Sequence, residues 1–270
     1  MMNTKTSLYG VIGNPIEHSL SPVMHNSAFM ETGYNGAYLA FHVTDLKSAI
    51  AGVRGLGVKG LSVTIPHKIA VMELLDEIDD MALKIGAVNT VVNRDGKLYG
   101  YNTDCLGAIH ALLEKTEIRG KTILMIGAGG AARAIGFGIL AQGGKLTILN
   151  ILEDEGTRLS KDLDVPYHHL SEFSRFDYDI LIHTTPVGMS PAVDKMPVNR
   201  KDLKPGKVVM DIIYNPLHTR LLSESEKIGC TAVDGVSMFV YQGVAQFEMW
   251  TGIKAPVETM RNVVLKALGE

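Results

Sequence analysis

Residues 121–133 read KTILMIGAGGAAR, and this stretch restricts the fold more than any other. An apolar run of strand length ends at Gly127, three of the four residues from Gly127 to Gly130 are glycine, and an apolar, alanine-containing segment follows. The run lacks the polar alternation of a half-exposed strand, so it belongs in a sheet covered on both faces. The glycines then make a tight turn from strand to helix. Their spacing is G-x-G-x-x-A, with Gly127, Gly129 and Ala132 at the defining positions. Gly127 permits the turn, Gly129 lets the backbone approach a pyrophosphate, and Ala132 lets the helix pack closely on the strand. The start of that helix would turn its free N–H groups towards the anion. A packing turn with no ligand would carry the same glycines. The strand before them and the helix and strand after them favour a dinucleotide.

The second half of the chain continues in the same style. KLTILN (145–150), DILIHTT (179–185) and KVVMDII (207–213) are further near-continuous apolar runs, as expected of strands buried on both sides. The first half also alternates strands and helices. SLYGVIG (7–13), AYLAFHV (37–43) and GLSVTI (60–65) read as strands. Between them lie a helix from Pro22, capped by Ser21 and ending near Gly33, and a helix opened by Asp45. Pro66 is expected to start another helix over HKIAVMELLDEI, and NTVVNRDGKLYGYN a hairpin turning at Asp95-Gly96. Such alternation predicts a parallel sheet in this half too. CLGAIHALLEKTEI (105–118) reads as a linking helix, and the tail from residue 240 as two helices.

Composition excludes several classes. The chain has 270 residues, 46% of them hydrophobic, with a formal net charge of −3. That length suffices for one or two domains with sizeable cores, and that charge offers no basic footprint for nucleic acid or an acidic membrane surface. The 2 cysteines, Cys105 and Cys230, form neither a CxxC pair nor a disulfide framework. The 9 histidines include no HExxH, so no metal-ligand pattern is present. The N-terminus lacks the apolar core of a signal peptide, and glycines and Arg133 interrupt the most apolar window. A soluble cytoplasmic protein is the expectation.

Four polar clusters fall at strand ends or turns of the first half: HSLSPVMHN (18–26), SVTIPHK (62–68), GAVNTV (86–91) and GYNTD (100–104). Taken singly, each has a structural explanation. Ser19 and Ser21 would cap a helix, Asn89 would serve a turn, and Asp104 would cap the linking helix. Together with GAGGAAR, TPVGM and DIIYNP they resemble the shikimate dehydrogenase family, in order and spacing, over essentially the whole chain.

The resemblance implies two α/β domains flanking a cleft, the second a Rossmann-type dinucleotide-binding domain. Residues 1–104, completed by C-terminal helices 239–270, would bind substrate, and residues 105–238 would bind NAD(P). It implies the reversible NAD(P)-linked reduction of 3-dehydroshikimate to shikimate, in aromatic amino-acid biosynthesis, by a monomer or homodimer. Lys68 and Asp104 would be the catalytic pair. Ser19, Ser21 and Tyr214 would hold the substrate carboxylate, Thr64, Asn89 and Gln242 its hydroxyls, and Thr103 would help position the pair. Gly127, Ala128, Gly129, Gly130, Ala131, Asn150, Ile151, Thr185, Met189 and Gly235 would line the cofactor. Residue chemistry agrees: an ammonium polarises a carbonyl and then donates its proton, and hydroxyls bind a carboxylate without adding a strong charge. His67 is expected to pack.

Three positions depart from the family pattern. Ser62 stands where many members have Asn, which would weaken shikimate contacts or make room for quinate. Ile151 and Leu152 follow Asn150 where the NADP pattern has Arg-Thr, and Glu153, Asp154 and Glu155 come next, with Glu155 near the position of a later basic residue. Carboxylates would repel a 2′-phosphate, and no guanidinium clamp is at hand, so NAD or dual use is expected although NADP is the family default. The acidic run also suits a solvated helix start. His183 replaces the usual Asn before TPVGM and is expected to be a packed strand-end histidine. Two other readings stay open on sequence: a quinate or dual quinate/shikimate dehydrogenase, and a non-enzymatic dinucleotide sensor.

Overall fold

A computed structural model describes residues 2–269. The chain divides into two compact units, Met1–Thr103 with Val240–Glu270, and Asp104–Phe239. In chain order the first unit holds β1 (Ser7–Gly13), α1 (Ser21–Thr32), β2 (Gly36–His42), α2 (Leu46–Leu56), β3 (Gly60–Val63), β4 (Glu77–Ile78), α3 (Asp80–Ile85), β5 (Thr90–Arg94) and β6 (Lys97–Tyr101). Next come α4 (Thr103–Leu113), β7 (Thr122–Ile126), α5 (Gly130–Ala141), β8 (Lys145–Asn150), α6 (Glu153–Leu163) and β9 (Tyr167–His169). The chain continues with β10 (Ile180–His183), β11 (Val208–Asp211), α7 (Arg220–Lys227), β12 (Thr231–Val233), α8 (Gly235–Thr251) and α9 (Val257–Leu268).

The sheet of the first unit runs β2-β1-β3-β5-β6-β4 and is mixed, not parallel as the alternation suggested. β2, β1 and β3 are parallel neighbours. β5 is antiparallel to both β3 and β6, and β4 is parallel to β6. The hairpin is the cause. Asp95 (φ 52°) and Gly96 (φ 90°) close a two-residue turn, and a connection that short can join only antiparallel strands. Asp45 caps α2 as expected, accepting from Ser48 N–H at 3.1 Å.

Two further expectations for this unit fail. Ser21 is the first residue of α1 rather than its cap; Leu20 holds the cap position and no side chain closes it. Ser21 is buried, and its side chain is a hydrogen-bonding neighbour of the Tyr38 hydroxyl instead. Pro66 starts no α-helix. The segment after β3 is a turn, then a 3₁₀ helix over Ala70–Leu74, then β4. The Lys68 carbonyl accepts from Val88 N–H at 2.8 Å, while Met72 N–H bonds Ile69 O at 3.1 Å, so the i→i−4 ladder does not run through Lys68. Arg54 fixes the far end of the segment, donating to Asp76 at 2.6 Å, Gly96 O at 2.6 Å and Leu74 O at 3.1 Å.

The sheet of the second unit runs β12-β11-β10-β7-β8-β9, and every neighbouring pair is parallel. Counted within the unit, that is third, second and first strand on one side of the centre, then fourth, fifth and sixth. This is the doubly wound Rossmann order, with its switch point between β7 and β10. The short strands β9 and β12, three residues each, carry too little pattern to be seen in sequence. Among the described residues no helix is long and apolar enough to cross a membrane.

The core of the first unit contains a buried imidazole. His25 of α1 stacks on Tyr38, with ring centroids 4.5 Å apart, and lies 5.2 Å from the Trp250 ring. Neither ring nitrogen has a hydrogen-bond partner. Burial pushes its pKa from 6.5 down to about 3. Below pH 6.5 the unfolded chain therefore binds a proton that the folded chain refuses, and stability falls as pH falls towards 3. By pH 5 the loss from this one group reaches about 2 kcal/mol. Urea unfolding followed by the fluorescence of Trp250, the sole tryptophan, should show this fall between pH 7.5 and 5. His25→Leu should lose that part of it, and equal pH dependence in both proteins would refute the assignment.

Candidate active site

In the first unit, sheet register gathers the predicted residues along one edge. Ile12 of β1 lies opposite Val63 of β3, and Ser62 opposite Thr90 of β5, which in turn faces Tyr101 of β6. The carboxyl ends of β1, β3 and β6 and the amino end of β5 therefore meet. Beyond them lie, respectively, the loop with Ser19 and Ser21, the turn with Thr64 and Lys68, Thr103, and Asn89. Asn14 N–H bonds Ile65 O at 3.0 Å, which ties the first loop to the second. Ser21 N–H donates to Ser19 Oγ at 3.3 Å. His67 turns away from the edge: it is buried, with Nε2 2.9 Å from Val43 O.

Asn89 is the most constrained of these residues. Its backbone N–H bonds Tyr101 O at 3.1 Å and its carbonyl accepts from Val63 N–H at 2.7 Å. Its side-chain Oδ1 accepts from Thr103 N–H at 2.7 Å, from Thr90 Oγ1 at 2.7 Å and from Thr103 Oγ1 at 3.1 Å. Lys68 is half-buried in its turn, and Asp104 lies in the first turn of α4, directly after Thr103. Gln242 sits on α8 and is buried.

Sequence reasoning missed Gln246. It lies one helical turn beyond Gln242 on α8 and is fully buried. Its Oε1 accepts from Ser62 Oγ at 2.7 Å, and its Nε2 donates to Thr90 Oγ1 at 3.0 Å and to Asn89 O at 3.4 Å. Ser62 in turn accepts from the Tyr38 hydroxyl at 2.6 Å. The available signal was a second glutamine at i+4, on the same helix face as the first.

In the second unit the predicted cofactor residues lie beyond the carboxyl edge of the parallel sheet. Gly127 to Ala131 follow β7, Asn150 ends β8 and Ile151 follows it, Thr185 and Met189 follow β10, and Gly235 follows β12; Tyr214, predicted to hold the substrate carboxylate, follows β11. Gly127 has φ +115°, and a Cβ there would lie 2.3 Å from Thr184 Oγ1. No side chain caps α5 at Gly129, and Cβ atoms at Gly129 or Gly130 would meet nothing within 4 Å. This is an open cradle of N–H donors at the switch point, and it fits a dinucleotide pyrophosphate. A Cβ at Gly235 would lie 2.4 Å from the Ile213 carbonyl group, so the start of α8 rests directly on the backbone after β11. Tyr214 stacks on Phe239 at 5.1 Å, and burial raises its hydroxyl pKa.

His183 closes β10 and is fully buried. Asp211 lies 3.0 Å from its Nδ1 and also accepts from Ile213 N–H at 3.1 Å and the Thr219 hydroxyl at 2.7 Å. Taking the Nδ1 proton onto Asp211 leaves Nε2 to accept from Thr185 Oγ1, 2.5 Å away. The acidic run occupies the first turn of α6, where the helix dipole favours carboxylates. Ile151 and Leu152 are exposed. A cavity of about 350 Å³ beside Ile151 is lined by His169, Ser171, Phe173, Asn199 and Asp202 among others, with no lysine or arginine. Arg133 is ion-paired to Asp162. Among the described residues no cluster of three or more His, Cys, Asp or Glu side chains is arranged for a metal.

A doubly wound unit with a glycine turn at its switch point, joined in one chain to a second α/β unit with a polar strand edge, defines a dinucleotide-dependent oxidoreductase architecture. Residues 11–91 match the family model for the shikimate dehydrogenase substrate binding domain, and residues 235–265 that for the shikimate 5′-dehydrogenase C-terminal domain. The chain is 48% identical over 273 residues to the shikimate dehydrogenase (NADP(+)) of Bacillus mycoides (strain KBAB4), covering 97% of this chain and 99% of that protein. A crystal structure of a shikimate dehydrogenase in complex with NADP+ superposes with a TM-score of 0.95 at 42% identity, covering 100% of this chain and 98% of the other. That of Listeria monocytogenes shikimate 5-dehydrogenase, in complex with shikimate and NAD, gives 0.91 at 35% identity, covering 97% and 98%. The chain belongs to the shikimate dehydrogenase family.

Gly127→Ala tests the cradle. The added methyl meets Thr184 and the positive φ strains any side chain. Titration with NAD and NADP should give dissociation constants raised about tenfold or more. Unchanged affinity for both would show that the turn holds no pyrophosphate.

Proposed function

We propose that the protein catalyses the reversible, NAD(P)-linked interconversion of 3-dehydroshikimate and shikimate. Family membership over nearly the full length of the chain carries this reading, and the polar strand edge around Asn89 supplies groups suited to a small polyol. Bound nicotinamide dinucleotide supplies the hydride in the reducing direction. The Lys68 ammonium polarises the substrate carbonyl oxygen and gives it the proton as the C–H bond forms. Asp104 orients Lys68 and compensates the charge of its ammonium group. Ser19, Ser21 and Tyr214 hold the carboxylate through hydroxyls, which leaves the charge at Lys68 undisturbed. Thr64, Asn89 and Gln242 bond the ring hydroxyls, and Thr103 positions the pair from its bond to Asn89. Gly127 to Ala131, Asn150, Ile151, Thr185 and Met189 would hold the dinucleotide, with Gly235 keeping the start of α8 against the backbone after β11.

Lys68→Ala should lower kcat by about a thousandfold or more while the KM for shikimate changes only a few-fold. Asp104→Asn should behave alike. An unaltered kcat in either variant defeats the mechanism.

The cofactor reading is finer. The relatives are named for NADP(+), whereas the Listeria neighbour holds NAD. At the end of β8 this chain offers a 2′-phosphate two exposed apolar side chains, then carboxylates, and a neighbouring cavity without a cation. We infer use of NAD at least as good as NADP. The comparison is kcat/KM for the two cofactors at saturating shikimate. Equal values, or a preference for NAD, are expected, and a preference of about tenfold or more for NADP would place a basic group on the phosphate, Arg158 or Arg133 released from Asp162.

A further inference from the structure

We propose that Gln246 is a positioning residue that fixes the polarity of Asn89, so that the Asn89 carboxamide meets substrate only as a hydrogen-bond donor. This rests on the reading that Asn89 bonds a ring hydroxyl.

The bonds beneath the strand edge form a directed series. Tyr38 donates to Ser62, and Ser62 donates to Gln246 Oε1. Gln246 Nε2 donates to Thr90 Oγ1, and the Thr90 hydroxyl donates to Asn89 Oδ1. A hydroxyl has one proton, so each of these hydroxyls passes the direction on. Gln246 is the one carboxamide between the serine and the threonine. It accepts at one end and donates at the other, so Thr90 keeps its proton for Asn89 Oδ1 or for Thr103 Oγ1, 2.9 Å away, whose own proton then goes to the same Oδ1; on either route a hydroxyl proton reaches Asn89 Oδ1. Thr103 N–H, whose role as donor is not reversible, bonds the same oxygen at 2.7 Å. Among the described residues every side-chain hydrogen bond of Asn89 uses Oδ1. Its Nδ2 protons are therefore left for a substrate oxygen.

Gln246 itself is fully buried, on the far side of Thr90 from Asn89 Oδ1 in this series. Its effect on substrate passes through Asn89, reached by way of Thr90 and by the bond from Gln246 Nε2 to the Asn89 carbonyl at 3.4 Å, and it is no contact residue. Satisfied buried networks of this kind hold one geometry because every alternative strands a donor or an acceptor.

Gln246→Glu keeps the shape and reverses the polarity. A carboxylate accepts from both Ser62 and Thr90, which draws the Thr90 proton away from Asn89. Gln246→Met removes all three bonds without burying a charge, and it serves if the Glu variant does not fold, as judged by circular dichroism and Trp250 fluorescence. Each variant is assayed alone and in an Asn89→Ala background. We expect the KM for shikimate to rise about tenfold, with the KM for the dinucleotide changed less than about twofold. In the Asn89→Ala background the same substitution should add less than about twofold. A folded variant with unchanged KM for shikimate, or one whose effect is as large without Asn89, overturns the inference and leaves the Asn89 assignment standing. If Asn89→Ala alone leaves the KM for shikimate unchanged, the assignment itself is wrong and the inference falls with it.

Discussion

The hydrogen bond from Thr103 N–H to Asn89 Oδ1 orders the substrate edge. Thr103 is the first residue of α4, and the opening N–H groups of a helix have no partner within it. Asn89 supplies one, from a neighbouring strand rather than from a local cap. The bond does two things at once. It sets where α4 begins, and so where Asp104, one residue later, stands. It also commits the Asn89 oxygen and leaves the amide protons to face outward. The backbone of Asn89 is held at both its N–H and its carbonyl by Tyr101 and Val63, so the anchor has little freedom of its own. Asp104 and the Asn89 amide, the proposed catalytic carboxylate and the proposed substrate donor, thus inherit their placement from a single amide.

Periodicity carried much of the fold, and its failures have one kind of cause. SLYGVIG and KLTILN match β1 and β8 residue for residue, because a strand buried on both faces leaves an unbroken apolar run. The Asp95-Gly96 hairpin was legible because few dipeptides accept two successive positive φ values. HKIAVMELLDEI has a helical pattern and forms no α-helix, since the Lys68 carbonyl is taken by Val88, twenty residues away. Ser21 has the composition of a cap but is drawn inward to Tyr38. In both cases a partner remote in sequence outbids the local preference, and no window of adjacent residues contains that information.

The candidate site was legible at the level of residue type. Glycine spacing pointed to the cradle, and the recurrence of Ser, Thr, Asn and Lys at several strand ends pointed to the edge. What composition could not supply was direction. Ser62 illustrates the gap. In sequence it is a short polar residue beside the expected substrate hydroxyls. In the structure its proton goes to Gln246 and its oxygen receives that of Tyr38. Its chemistry is spent on the scaffold, whatever it leaves open sterically. Gln246, by contrast, looked like one more helix residue and turned out to link β3 with β5.

The same logic operates in the dinucleotide unit. His183 was expected to pack, and it does, yet packing is only part of what it accomplishes. Asp211 collects donors from Ile213, Thr219 and His183. Nδ1 is committed to Asp211, and Nε2 shares a hydrogen bond with Thr185 Oγ1. Thr185 Oγ1 also accepts Val187 N–H at 3.3 Å, so the hydroxyl at the end of β10 is engaged on two sides. An asparagine at position 183 would not hold it in the same way, since its carboxamide carries donor and acceptor on one rotatable group. Both units therefore treat their strand ends alike: a buried group whose hydrogen bonds are all engaged, Gln246 in one and His183 in the other, bears on how the polar groups of the candidate site are oriented from one layer beneath them.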